Sequence, residues 1–141
     1  MQTPLSVPAE TRTRLPLMVA AENRADLRAP FTTHSFLSAG SFWARSISDA
    51  FLLRLNLDVV SDIASGDLRA ALMVNGSPNE ATNVQRNLTF GAGEHEPVSL
   101  VLQFFSRATF LTFGASLWLT TTVPVTVTPL SAYIRPESTA P

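Results

Sequence analysis

Between Phe51 and Val60 the chain reads FLLRLNLDVV, with Phe51, Leu53, Leu55, Leu57 and Val59 on one parity and Arg54, Asn56 and Asp58 on the other. Side chains of an extended strand alternate between its two faces, so this spacing predicts a β-strand with one face buried. The period of two returns at Leu68, Ala70, Leu72 and Val74, at Val98, Leu100, Leu102 and Phe104, and at Leu111, Phe113, Ala115, Leu117 and Leu119. Strands are expected over about 31–38, 41–47, 51–61, 67–75, 83–90, 97–106, 109–120 and 123–135. That number and spacing predict an all-β fold, an eight-stranded antiparallel β-sandwich of the jelly-roll kind. The connections carry suitable turn chemistry at Ser65-Gly66-Asp67, Asn75-Gly76-Ser77-Pro78 and Gly91-Ala92-Gly93.

Proline and glycine divide the chain. Prolines 4, 8, 16, 30, 124, 129, 136 and 141 lie toward its two ends, whereas all six glycines fall between Gly40 and Gly114. Proline removes a ladder donor, so the ends are expected to be extended, irregular or edge segments. The implied division is an extended N-terminal arm over 1–30, the β-sandwich over 31–135 and a C-terminal tail over 136–141. Residues 1–30 contain no aromatic side chain, although Leu15, Leu17 and Val19 alternate as a first strand would. Two readings of the arm stand side by side: a disordered tail, or a clip onto a neighbouring subunit or larger assembly. In the second, Leu5, Val7, Leu15 and Leu17 are the binding side chains.

Several strands are apolar on both faces, whereas a lone antiparallel sheet keeps one face in water. Val101 and Phe105 oppose the buried parity of the strand at 97–106, and Phe110 and Trp118 oppose that of 109–120; Leu52, Val60 and Met73 continue the trend. A contiguous apolar patch of several hundred Å² marks an interface. Val101, Phe105, Phe110 and Trp118 are therefore the expected oligomer contact, and closed symmetry suggests a homotrimer.

Composition narrows the partners. The formal charge is −1, 15% of residues are charged, and the ten cations are arginines spread without a patch, so no nucleic-acid partner is expected. The absence of cysteine excludes disulfides and Cys-based metal centres. No apolar run approaches the ~20 residues of a membrane helix, and Met1–Glu10 lacks the basic start of a secretory leader, so neither membrane insertion nor a leader is expected. Asn75-Gly76-Ser77 and Asn87-Leu88-Thr89 match the glycosylation sequon, a pattern such a chain meets by chance.

The succession DAFLLRLNLDVV, a turn, LRAALMVNGS, a polar loop, LTFGAGEHEPVSLVLQFF and a closing aromatic strand is similar to the trimeric jelly rolls of the TNF/C1q-like type. It also resembles the jelly-roll decoration and fibre-head proteins of tailed bacteriophages. The likeness covers about residues 45–135 and lies in strand pattern and the Asn-Gly turn. These residues include no collagenous Gly-X-Y stalk and no membrane anchor, which directs the expectation to the viral members. The resemblance implies a structural virion protein at the capsid surface: a homotrimeric decoration (cement) protein that binds the major capsid protein or another virion protein and stabilises the shell. The alternative is a receptor- or glycan-binding fibre or spike head, with 76–83 and 91–96 as its recognition edge.

Sites of chemistry are sparse, and neither enzymatic activity nor a cofactor or metal is expected. Glu94-His95-Glu96 is the tightest group of potential ligands, but along an extended segment His95 points away from the two glutamates. Asp58, Asp62 and Asp67 bracket a loop without matching a calcium-loop spacing. His34 near Ser35 and Ser38 lacks a nucleophile elbow, and Gly91-Ala92-Gly93 precedes a strand where a phosphate loop precedes a helix. Trp43 and Tyr133, with Arg86 or Arg107, are candidates for a sugar-stacking platform, although aromatics of a sandwich usually belong to its core.

Overall fold

The computed structural model of the protein describes residues 3–16, 37–38, 41–43, 50–76, 80–105 and 108–138; residues 37, 38, 105, 111 and 132–138 are described by their backbone. The alternation at 51–60 becomes β5 (Ala50–Val60), in which Phe51, Leu53, Leu55, Leu57 and Val59 are buried and Arg54 is exposed. β5 lies in a four-stranded sheet with β1 (Leu5–Val7), β10 (Val125–Ser138) and β8 (His95–Phe105), in the order β1-β10-β5-β8. Opposite it, β3 (Leu37–Ser38), β4 (Ser41–Phe42), β9 (Ala115–Thr121), β6 (Gly66–Val74) and β7 (Glu80–Leu88) follow one another, and β2 (Thr13–Leu15) pairs with β9. Beyond β5 the chain passes to the second sheet for β6 and β7, back for β8, across for β9 and back for β10. All the strand pairs are antiparallel. The all-β sandwich expected from the alternation is the fold.

The inward residues form one core, drawn from both sheets. At one end it is aromatic. The Phe42 ring meets Phe51, Phe104 and Phe110 edge-on at 5.3, 5.1 and 6.1 Å, geometry that sets the positive edge of one ring against the negative face of another.

Two expectations are corrected here. Residues 109–113 are not the start of a strand but belong to a helix, α1 (Ala108–Phe113), and β9 begins at Ala115. The parity of Leu111, Phe113 and Ala115 continues that of β9, so periodicity alone does not show the break. Gly114 makes it: at φ 73 its N–H donates to the Phe110 carbonyl at 3.1 Å and closes the last turn. A Cβ there would lie 3.1 Å from the Phe42 carbonyl oxygen and the Trp43 ring. The helix turns Phe110 into the aromatic end of the core, fully buried, which removes it from any surface contact.

The second correction concerns the arm. Residues 5–7 and 13–15 are strands of the sandwich, one in each sheet, and Val7 and Leu15 are buried in its core. Small aliphatic side chains suffice for this because each strand gains its hydrogen bonds from a sheet edge. Pro8 and Pro16 follow the two strands directly. Leu17 and the expected strand positions 31–36 and 44–47 lie outside the described residues.

Proline does mark edges. Pro97 lies on β8, the outer strand of its sheet, and Pro129 and Pro136 of β10 each stand at a register shift against β5. β1 covers β10 only from Val125 to Val127, so the rest of that long strand has no partner on its other side among the described residues.

Candidate functional site

The outer face of the first sheet is built from the residues of β5, β8 and β10 that alternate with the core set. Register places Arg54 between Tyr133 and Val101, Asn56 between Ser131 and Ser99, and Asp58 between Thr128 and Pro97. Hydrogen bonds lace the three strands: Arg54 Nε donates to Ser99 Oγ at 3.1 Å, Ser99 Oγ to Asn56 Oδ1 at 3.0 Å, and Asn56 Nδ2 to Ser131 Oγ at 2.8 Å. Near the end of this face His95 Nδ1 lies 2.6 Å from Asp58 Oδ2. Beside this ladder Val101 is 43% exposed, and Leu130, in the bulge of β10, is 59% exposed. Leu52 and Val60 are half-buried on the same parity. Phe105 ends β8 opposite Ala50.

The outer face of the second sheet has a different character. Trp118 is half-buried, in register between Arg14 of β2 and Ala71 of β6. Arg69 and Glu80 form a two-pronged ion pair. Arg69 precedes Ala71 by two residues and Glu80 pairs with Met73, two residues after it, so the pair crosses over Ala71 and helps explain its burial. The Arg69 hydrogen bonds hold the Glu80 carboxyl below its usual range against the opposing effect of desolvation, and the Arg12 charge adds to the lowering. The same bond raises Arg69.

A polar cluster anchors one end of this face. Arg14 donates to Ser116 Oγ at 3.2 Å and to Ser41 Oγ at 2.9 Å; the two hydroxyls are 3.1 Å apart and nearly inaccessible. Asn75 donates to Ser41 and to the Phe113 carbonyl, and accepts from Ser116. Buried polar groups are costly unless paired, and here each has a partner.

The chemical candidates separate in space. Glu94 accepts from the Gly91 N–H at 3.1 Å, Glu96 accepts from the N–H and hydroxyl of Thr89 at 3.2 and 3.0 Å, and His95 turns to Asp58. Among the described residues no group of three or more His, Cys, Asp or Glu is placed to hold a metal ion. Asp67 is bonded through its backbone to Thr122, and Asp62 lies in the turn after β5. Trp43 is half-buried against Gly114 near the second sheet, whereas Tyr133 lies on β10 of the first. Arg86 reaches across the open side of the sandwich to the Ser99 carbonyl at 2.8 Å. His34, Ser35 and Arg107 lie outside the described residues, as do 77–79 of the expected recognition loop, and 80–83 are already strand.

No protein-family model matches the sequence, and no curated protein matches it. Among solved structures it is similar to the Eiger TNF from S. frugiperda, with a TM-score of 0.54 and 11% identity over 99% of this chain and 95% of that one. The fold is a TNF-like jelly roll. At this identity the likeness is one of architecture, and it agrees with the topology that the succession of strands suggested.

Within this jelly roll the four expected contact residues do not form a single patch. Val101 lies outward on the first sheet, Trp118 outward on the second, and Phe110 between them in the core. Of the arm residues, Val7 and Leu15 are core and Leu5 packs against it. The Arg14 cluster and the His95–Asp58 contact had no sequence signal, because their members lie 102 and 37 residues apart and only register brings them together.

Proposed function

We propose that the protein is a structural virion component, a homotrimeric capsid decoration protein whose work is adhesion to the major capsid protein or another shell protein. The observation that carries the oligomeric part is the exposure of Val101 and Leu130 on the first sheet of a TNF-like jelly roll. Covering these positions with a second copy removes apolar area from water at about 25 cal/mol per Å². The polar ladder beside them offers hydrogen bonds that fix orientation more than affinity. The virion part rests on the resemblance of the strand succession to phage decoration proteins, and the role is geometric, with no catalytic step.

A fibre or spike head is the second reading. It is favoured by Ile63, 49% exposed at the tip of the 61–65 turn, where Gly93 donates to the Ser61 carbonyl at 2.7 Å and joins that turn to the 91–94 loop. An exposed apolar side chain on a braced loop suits contact with a receptor.

Sedimentation at micromolar concentration tests the assembly, with three times the 15.3 kDa protomer mass expected. Immunogold labelling of the parent particle tests the location. Label over the shell is the expected result; label at fibre tips selects the head reading, and a particle without label removes both.

A further inference from the structure

We propose that residues 3–16 exchange between copies, so that β1 and β2 of one protomer complete the two sheets of its neighbour. The proposal rests on the homotrimer reading and adds the way in which the copies are tied.

Residues 3–16 form a clip with two short prongs. Leu5, Ser6 and Val7 pair with Val127, Thr126 and Val125, and Thr13, Arg14 and Leu15 pair with Leu119, Trp118 and Leu117. Between the prongs Ala9 bridges Thr121, and the Glu10 N–H donates to the Thr121 carbonyl at 2.8 Å. Val7 and Leu15 are the plugs, each entering the core from one sheet, and Arg14 locks the second prong onto Ser41 and Ser116. The clip therefore grips the closing strands of the fold, about a hundred positions downstream. Those strands keep long partners without it: β10 pairs with β5 along eleven positions and β9 with β6 along seven.

Positions 17–36 separate the clip from β3, twenty residues of chain. At about 3.3 Å per residue they can span up to ~65 Å, about twice the ~30 Å diameter of a small domain, so the grooves of an adjacent copy lie within reach. Exchange preserves every hydrogen bond and buried contact of the clip, because the neighbour presents the same strand edges. Only the path of the connection changes, which is why strand exchange is a low-cost route to association. In a closed trimer the neighbour's clip is present at millimolar effective concentration, and each exchanged clip places Val7 and Leu15 in a different chain's core.

Ser6 and Thr126 are exposed and directly opposed, and the chain has no cysteine of its own. The full chain is prepared as S6C, as T126C and as the double variant; the two single variants are refolded together, all are oxidised and run without reductant, and each is also sedimented. Exchange predicts a two-chain disulfide band from the mixed single variants and covalent two- and three-chain species from the double variant. A double variant that runs as one linked chain, with no two-chain band from the mixture, overturns the proposal. If that result comes with a trimeric sedimenting mass, exchange alone fails and the trimer stands; with a single-protomer mass, both fail.

Discussion

Val101 and Trp118 face away from each other across the sandwich, the first on the outer surface of β8 and the second on that of β9. Strands that look apolar on both faces in the sequence therefore feed two separate surfaces, each with its own solution. Around Trp118 the second sheet has the Arg14 cluster and the Arg69–Glu80 pair. Val101 lies on the face with the more exposed apolar side chain.

Val101→Asp is expected to reduce the sedimenting mass to that of one 15.3 kDa protomer, with an unchanged far-ultraviolet circular dichroism spectrum. Enclosing a carboxylate in an apolar contact costs several kcal/mol even with Arg54 beside it in register, because both charges lose water, and that is more than most positions of an interface supply. Trp118→Ala should leave the assembly intact. An assembly indifferent to Val101→Asp moves the contact off this face.

Phe110→Ala is expected to act on stability. It empties the junction of Phe42, Phe104 and α1 in the core, at a cost of about 3–5 kcal/mol. Thermal unfolding should show the loss, while the sedimenting mass well below the transition stays that of the parent. A change in mass at low temperature would restore Phe110 to the interface.

The Thr121 hydroxyl is buried with no hydrogen-bond partner among the described residues. Valine has nearly the same shape and no group to desolvate, so Thr121→Val should raise stability by about 1 kcal/mol, read as a higher urea midpoint at an unchanged slope. A fall in the midpoint would show that the hydroxyl has a partner in solution.

Acid should weaken one contact on the second sheet. Glu80 titrates below its unfolded value when folded, so the stability it adds is present above that unfolded value and is lost as pH falls through the folded one. The raised Arg69 describes the same pair and keeps its charge throughout this range. Both side chains are partly exposed, which limits the contribution to about 0.2–1 kcal/mol at low salt. Urea titrations of the parent and Glu80→Gln should differ at pH 7, and the difference should shrink as pH falls through the lowered folded value of Glu80; a difference that persists in acid would assign the effect to packing.

The sandwich was legible because β5, β6 and β8 place leucine, valine and phenylalanine on every second residue, a period that only a half-buried strand requires. The same rule misled at 109–113, where apolar positions stay in phase across a helix, and the conformation of Gly114 is what ends it. Residues 3–16 were misread for another reason: an edge strand of three residues is too short to show a period, and lack of aromatics says little when one valine and one leucine are all it buries. The surface groupings depend on pairing between distant strands. Arg54, Asn56 and Ser99 share a ladder because β5 lies beside β8, a fact that no local pattern contains.

Pro129 and Pro136 acquire a meaning from their position beside the length of β10 that has no outer partner among the described residues. A long bare margin of sheet invites another molecule to add strand upon strand, the growth mode of fibres. Here two prolines, each beside a register shift against β5, interrupt the regular ladder near both ends of that margin. Among the described residues the border thus stays open without offering a regular template for strand-upon-strand growth, which leaves side-chain surfaces to set any contact with a neighbour.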